Sequence, residues 1–91
     1  MAGSEVRILY RNWRGEVAVR TIQPEEVWYG STNWHPEPQW LLDAIDLDNP
    51  YRRVKCFAMS GILAWGDEAI AAYQAATGVK LVEREESQRE D

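Results

Sequence analysis

The tightest constraint on the fold is an early stretch, "EVRILYRNWRGEVAVRTIQP", which reads as two strands around a turn. Val6, Ile8 and Tyr10 alternate with Arg7, Leu9 and Arg11, the period-two pattern of a half-buried strand. Val17, Val19 and Thr21 then alternate with Ala18, Arg20 and Ile22. Asn12 to Gly15 supplies the turn between them, with Gly15 expected at positive φ. Pro24 has no N–H to give a ladder and is expected to close the second strand.

The pattern continues in short pieces. "EEVWYGST" predicts a third strand, Val27 to Tyr29, closed by Gly30 and followed by a polar loop from Ser31 to Pro38. "QWLLDAIDL" places Trp40, Leu42 and Ala44 on one face and Leu41, Asp43 and Ile45 on the other. Helical spacing competes there, but Pro36 and Pro38 before the run and "DLDNP" after it favour a fourth strand. "YRRVKCFAMSGI" predicts a fifth, ending near Ser60 and Gly61. "GDEAIAAYQAATG" changes period: Asp67 is the expected cap, Ile70 and Tyr73 share a helical face, and Gly78 is the stop. The expected layout is a flexible N-terminus over 1–4, a β-barrel over 5–65 and a helix over 66–78. A short "VKLV" strand and an acidic, disordered tail fill 79–91. Short strands at regular turn spacing followed by one helix predict a mainly β fold, a small barrel with a helical appendage.

With 91 residues, the chain has room for one domain and one small core, which five Trp and four Tyr can help fill. The net charge of -5 lies mostly at the C-terminal end: residues 1–66 carry seven basic and eight acidic groups, residues 67–91 three and seven. So little positive charge argues against strong duplex DNA binding but leaves room for a small anionic ligand. No apolar run approaches the roughly 20 residues of a membrane span, and the N-terminus lacks a signal-peptide pattern. Cys56 is the only cysteine, so no intramolecular disulfide forms. A cytoplasmic location is the expectation.

The histidine in "NWHPEPQWLL" invites a catalytic or metal reading. A metal would need further ligands, and Glu37 and Cys56 with His35 do not make a set. Cys56 lies inside an expected strand, where a thiol acts as a small hydrophobe and not as a nucleophile. Asp43, Asp46 and Asp48 read as solvated strand-end and turn residues. Phosphate loop, helical His pair and nucleophile elbow are all missing, so nothing indicates an enzyme or a cofactor. Pro36 and Pro38 stiffen the loop, and Trp34 and His35 either pack within it or form the rim of a ligand groove. Most of the aromatics are expected in core or rim packing. The competing reading makes Trp28, Tyr29, Trp34 and Trp40 a stacking platform, with Arg7, Arg11, Arg20, Arg52 and Lys55 offering charge.

Tyr10, Gly15, Arg20 and Pro24, then "WLL" at 40–42 with Ala44 and Asp46, then Lys55-Cys56-Phe57 and Ile62, together resemble the WYL domain family over about residues 5–65. The resemblance implies a Sm-like (SH3-like) five-stranded β-barrel of the kind found in bacteria and phages. It also implies ligand sensing, of nucleotides or nucleic acid, by basic and aromatic side chains on an exposed barrel face. By position these are Tyr10, Arg20, Trp40 and Lys55. Leu41 replaces the family's middle tyrosine, and Lys55 replaces an arginine, losing its bidentate fork.

Two functions follow as expectations. In one, a non-enzymatic regulatory module binds a nucleotide or single-stranded nucleic acid through Tyr10, Arg20, Trp34, His35, Trp40 and Lys55. In the other, the chain docks a protein partner or forms a homodimer and takes no small ligand.

Overall fold

The computed structural model describes residues 4–82, so the expected tail beyond Val82 and most of the expected flexible N-terminus lie outside the described residues. The chain is mainly β, with strands β1 (Val6–Arg11), β2 (Val17–Gly30), β3 (Gln39–Asp46), β4 (Val54–Ala58) and β5 (Ile62–Trp65). A 3-10 turn (Met59–Gly61) links β4 to β5, and one helix, α1 (Asp67–Thr77), follows. The strands form one antiparallel sheet in the order β4-β3-β2-β1-β5, with edges at β4 and β5.

The β1–β2 hairpin forms as its pattern predicts. Asn12 Oδ1 accepts from the amides of Arg14 (2.9 Å) and Glu16 (3.0 Å), a side-chain turn that leaves Gly15 at φ 85°. One face of the sheet packs Ile8, Tyr10, Ile22, Leu42, Ala44 and Phe57 together. Leu9, in the row that alternation assigns to the polar side, is also fully buried. There it packs with Val17, Ala64 and Ile70 of α1, so β1 has a core on each face. Burying Ile70 contributes roughly 2 kcal/mol toward holding the helix down.

The strand boundaries differ from expectation at Pro24. β2 runs through it, joining the expected second and third strands. Leu47 donates its amide to the Thr21 carbonyl at 3.0 Å, so Thr21 and Gln23 turn their backbone toward β3 while Ile22 and Pro24 turn toward β1. β1 ends at Val6, opposite Ile22. The missing N–H of Pro24 therefore faces no strand and costs no ladder bond. Directly afterwards the register shifts between Pro24 and Glu26, leaving Glu25 as the extra residue of a bulge.

Other expectations are also revised. The expected fifth strand is shorter, β4 stopping at Ala58, and an unexpected strand, Ile62–Trp65, follows beside β1. "VKLV" is no strand, although Val79 and Leu81 pack on the second core and Val82 donates to the Val17 carbonyl at 2.9 Å. Asp67 does not cap α1. It is the first helical residue and binds Arg7 at 2.8 Å, while Gly66 holds the cap position. Gly78 ends the helix in the left-handed conformation, as predicted. Of the aromatics, Tyr10 and Phe57 enter the core, whereas Trp13, Trp34, Trp40 and Trp65 are 47–67% exposed. No helix among the described residues is long and apolar enough to cross a membrane.

Candidate interaction surface

The six residues expected to bind ligand do not share a surface. Tyr10, Arg20 and Lys55 point into the sheet's packed interior, at 2%, 7% and 7% exposure. The cause is strand phase. Arg20 alternates in step with Ala18 and Ile22, and Lys55 in step with Phe57, so both basic side chains share the core's face.

Asp46, expected in solvent, is the buried counter-ion that this phase requires. Arg20 donates to its Oδ2 at 2.6 Å, and Lys55 Nζ lies 4.0 Å from the same oxygen. Asp48 stands 4.0 Å from Arg20 Nε at the half-exposed end of the cluster, so two cations face two carboxylates. The Arg20 guanidinium also sits 5.6 Å from the centre of the Phe57 ring. Together these contacts tie β2, β3 and β4. They engage the charges that the WYL resemblance would turn toward a ligand.

Tyr10 has a comparable internal task. Its ring meets Phe57 edge-on at 5.0 Å, and its hydroxyl accepts the Ala58 amide at 3.1 Å. That amide points off the free edge of β4. Asp46 donates to the Arg53 carbonyl at 2.8 Å, which sets the alternation so that Cys56 and Ala58 turn their backbone away from β3. His35, 9% exposed, serves the same edge, its Nε2 lying 3.3 Å from the Cys56 carbonyl. A carbonyl only accepts, so in this contact Nε2 carries the proton. Thr32 holds the loop: its hydroxyl accepts the His35 amide at 2.9 Å, and its own amide donates to the His35 carbonyl at 2.9 Å. Tyr10 and His35 thus blunt an edge strand.

Trp34 and Trp40 remain exposed, at 50% and 58%. Trp40 opposes Tyr29, itself 58% exposed, and the two rings meet edge to face at 5.4 Å. Val27, two residues back on the same side of β2, is 52% exposed. The bulge creates this grouping. Before Glu25 the even-numbered residues of β2 face the core; after it, Val27 and Tyr29 take that phase, opposite Leu42 and Trp40. The core face thus runs on, past the end of β1, as an uncovered apolar surface. On the reverse face the Trp28 ring lies over Gly30, where any Cβ would meet it at 2.5 Å. Trp28 Nε1 is buried without a hydrogen-bond partner among the described residues.

The other exposed rings differ in kind. Arg14 stacks over Trp13 at 5.7 Å and Arg53 over Tyr51 at 5.9 Å, so each is partly covered by its own neighbour. Scattered apolar residues of that sort are ordinary, whereas a contiguous patch marks a contact site. A shallow groove of about 320 Å³ lies elsewhere, lined by Glu5, Val6, Arg7, Thr21, Gly66 and Asp67, and includes none of the six expected residues. Arg7 and Asp67 pair within it, and that hydrogen bond raises the guanidinium's pKa further.

Of the surface itself, sequence reasoning singled out Trp40 as a site residue, placed Tyr29 in the aromatic cluster and missed Val27. No local signal marks it, because "PEE" before an alternating "VWYG" becomes a bulge only against the register of β3. Compared with known proteins, the chain matches no family model, no curated protein and no solved structure.

Proposed function

We propose that the protein is a non-enzymatic protein-interaction module, and that Val27, Tyr29 and Trp40 are its contact surface. The observation that carries this reading is the Tyr29–Trp40 pair, two large rings packed on each other with more than half of each exposed. Aromatic side chains deliver much contact area at little entropic cost and are enriched where proteins meet. The nucleotide-sensing alternative has less support, because Arg20 and Lys55 are buried against Asp46. Phosphate recognition would have to break those contacts first.

Two measurements separate the readings. Single-stranded oligonucleotide and ATP are titrated against the protein at low salt, with Lys55→Ala alongside. The interaction reading expects no saturable binding. Salt-weakened binding that disappears in Lys55→Ala would restore the ligand reading. Association is followed by sedimentation velocity from dilute to concentrated solution, for the wild type and for Tyr29→Ser/Trp40→Ser. A concentration-dependent species that is lost in the double variant supports the interaction reading.

A further inference from the structure

The backbone beneath the aromatic surface says how a partner would engage it. Odd-numbered residues of β3 turn toward β2, so Asp43, Leu41 and Gln39 bond to Glu26, Trp28 and Gly30 opposite them. Val27 and Tyr29 therefore turn their amides and carbonyls the other way, to the side where β1 has already ended. No backbone partner meets either residue there among the described residues. The second half of β2 is a bare sheet edge carrying two exposed apolar side chains, the arrangement onto which an added strand pairs.

We infer that the occupant of this edge is a second copy of the chain, its β2 paired antiparallel about a twofold axis at Trp28. This rests on the interaction reading above and specifies its partner. The spacing is self-complementary. With Trp28 opposite Trp28 of the second copy, Val27 faces Tyr29 and Tyr29 faces Val27. Both are outward-turned residues, so each pair exchanges two hydrogen bonds. The charges also fit. Glu26 comes opposite Gly30 of the second copy, so no carboxylate faces another in the new ladder. Val27 and Tyr29 side chains meet across the twofold on the face that carries Trp40, covering the apolar patch from both sides. The bulge at Glu25 ends the pairing on one side and Gly30 on the other, which keeps the contact short and the dimer weak and concentration-dependent.

The test uses Val27→Pro. Proline removes an N–H that points only to the free edge and leaves the bonds from Glu26, Trp28 and Gly30 to β3 in place. Sedimentation equilibrium of the full chain should show a monomer–dimer equilibrium in the wild type. In Val27→Pro, with unchanged circular dichroism, dimerisation should weaken at least tenfold. Because the proline could perturb the strand, dilution of the ¹⁵N-labelled wild type supplies a second readout. There the Val27 and Tyr29 amide resonances should shift most with concentration. A dimer that survives Val27→Pro but is lost in Tyr29→Ser/Trp40→Ser would overturn strand pairing while leaving the aromatic surface as the interaction site. A wild type that stays monomeric at every concentration would overturn the second copy as occupant. So would concentration-independent protection of both amides, which would assign the edge to another segment of the same chain.

Discussion

The two halves of β2, divided by the bulge at Glu25, use similar residues to opposite ends. At Ile22 the strand has a partner on each side, Val6 and Asp46, and its core-facing positions hold Ala18, Arg20 and Ile22, all buried. Beyond the bulge, among the described residues, it has β3 on one side only, and the positions in the same phase, Val27 and Tyr29, are more than half exposed. An arginine is hidden in the first half while a tyrosine is displayed in the second. Neighbouring strands decide this, and residue polarity does not: β1 is present in one place and absent in the other. A charged side chain inside a fold needs a built counter-ion, and an apolar one outside it needs a partner. The first need is met by Asp46; the second is what the proposed dimer meets.

The comparison is broken most severely by Asp46→Ala. Removing the carboxylate takes the buried counter-ion from Arg20 and Lys55, and urea denaturation should show a loss of about 3–5 kcal/mol. Milder damage is expected from Gly61→Ala, because a Cβ there would lie 2.7 Å from the Arg11 carbonyl and 2.8 Å from the Tyr10 ring. Neither can yield without moving β1, so the same measurement should register about 1–3 kcal/mol. Tyr10→Phe keeps the ring and deletes the hydroxyl that receives the Ala58 amide. Its cost should be about 1 kcal/mol, with faster hydrogen exchange confined to the end of β4. The smallest change in stability belongs to Trp40→Ser, which loses one exposed cross-strand pair and should shift the urea midpoint by no more than about 1 kcal/mol. Yet this variant should impair association more than any of the three core changes that still fold. If Trp40→Ser proved as destabilising as Asp46→Ala, the second half of β2 would be core and not surface.

Much of the first half was legible in the sequence. Alternation located β1, the start of β2 and β3, and the Asn12–Gly15 turn emerged with the expected positive φ. Helical spacing in "GDEAIAAYQAATG" located α1 with Ile70 inward. The burial of Arg20 and Lys55 was legible in principle, since each keeps step with apolar core residues on its strand. Their charge suggested exposure, and only the three-dimensional meeting with Asp46 reverses that inference. Pro24 misled for a similar reason. A proline ends a strand when its nitrogen faces a neighbour, and here the neighbour stops two residues earlier. The extra residue at Glu25 could not be placed without the partner strand that defines it. Because it inverts the facing of everything after it, the candidate surface depended on the one feature the local pattern did not resolve.

Amide hydrogen exchange along β2 in dilute solution tests the central claim most directly. The account predicts slow exchange at Ala18, Arg20 and Ile22, then an alternation beyond the bulge, with Trp28 and Gly30 slow and Val27 and Tyr29 fast. Raising the protein concentration should slow Val27 and Tyr29 alone. Uniformly slow exchange from Glu26 to Gly30 at every concentration would contradict it, because the second half of β2 would then have no free edge.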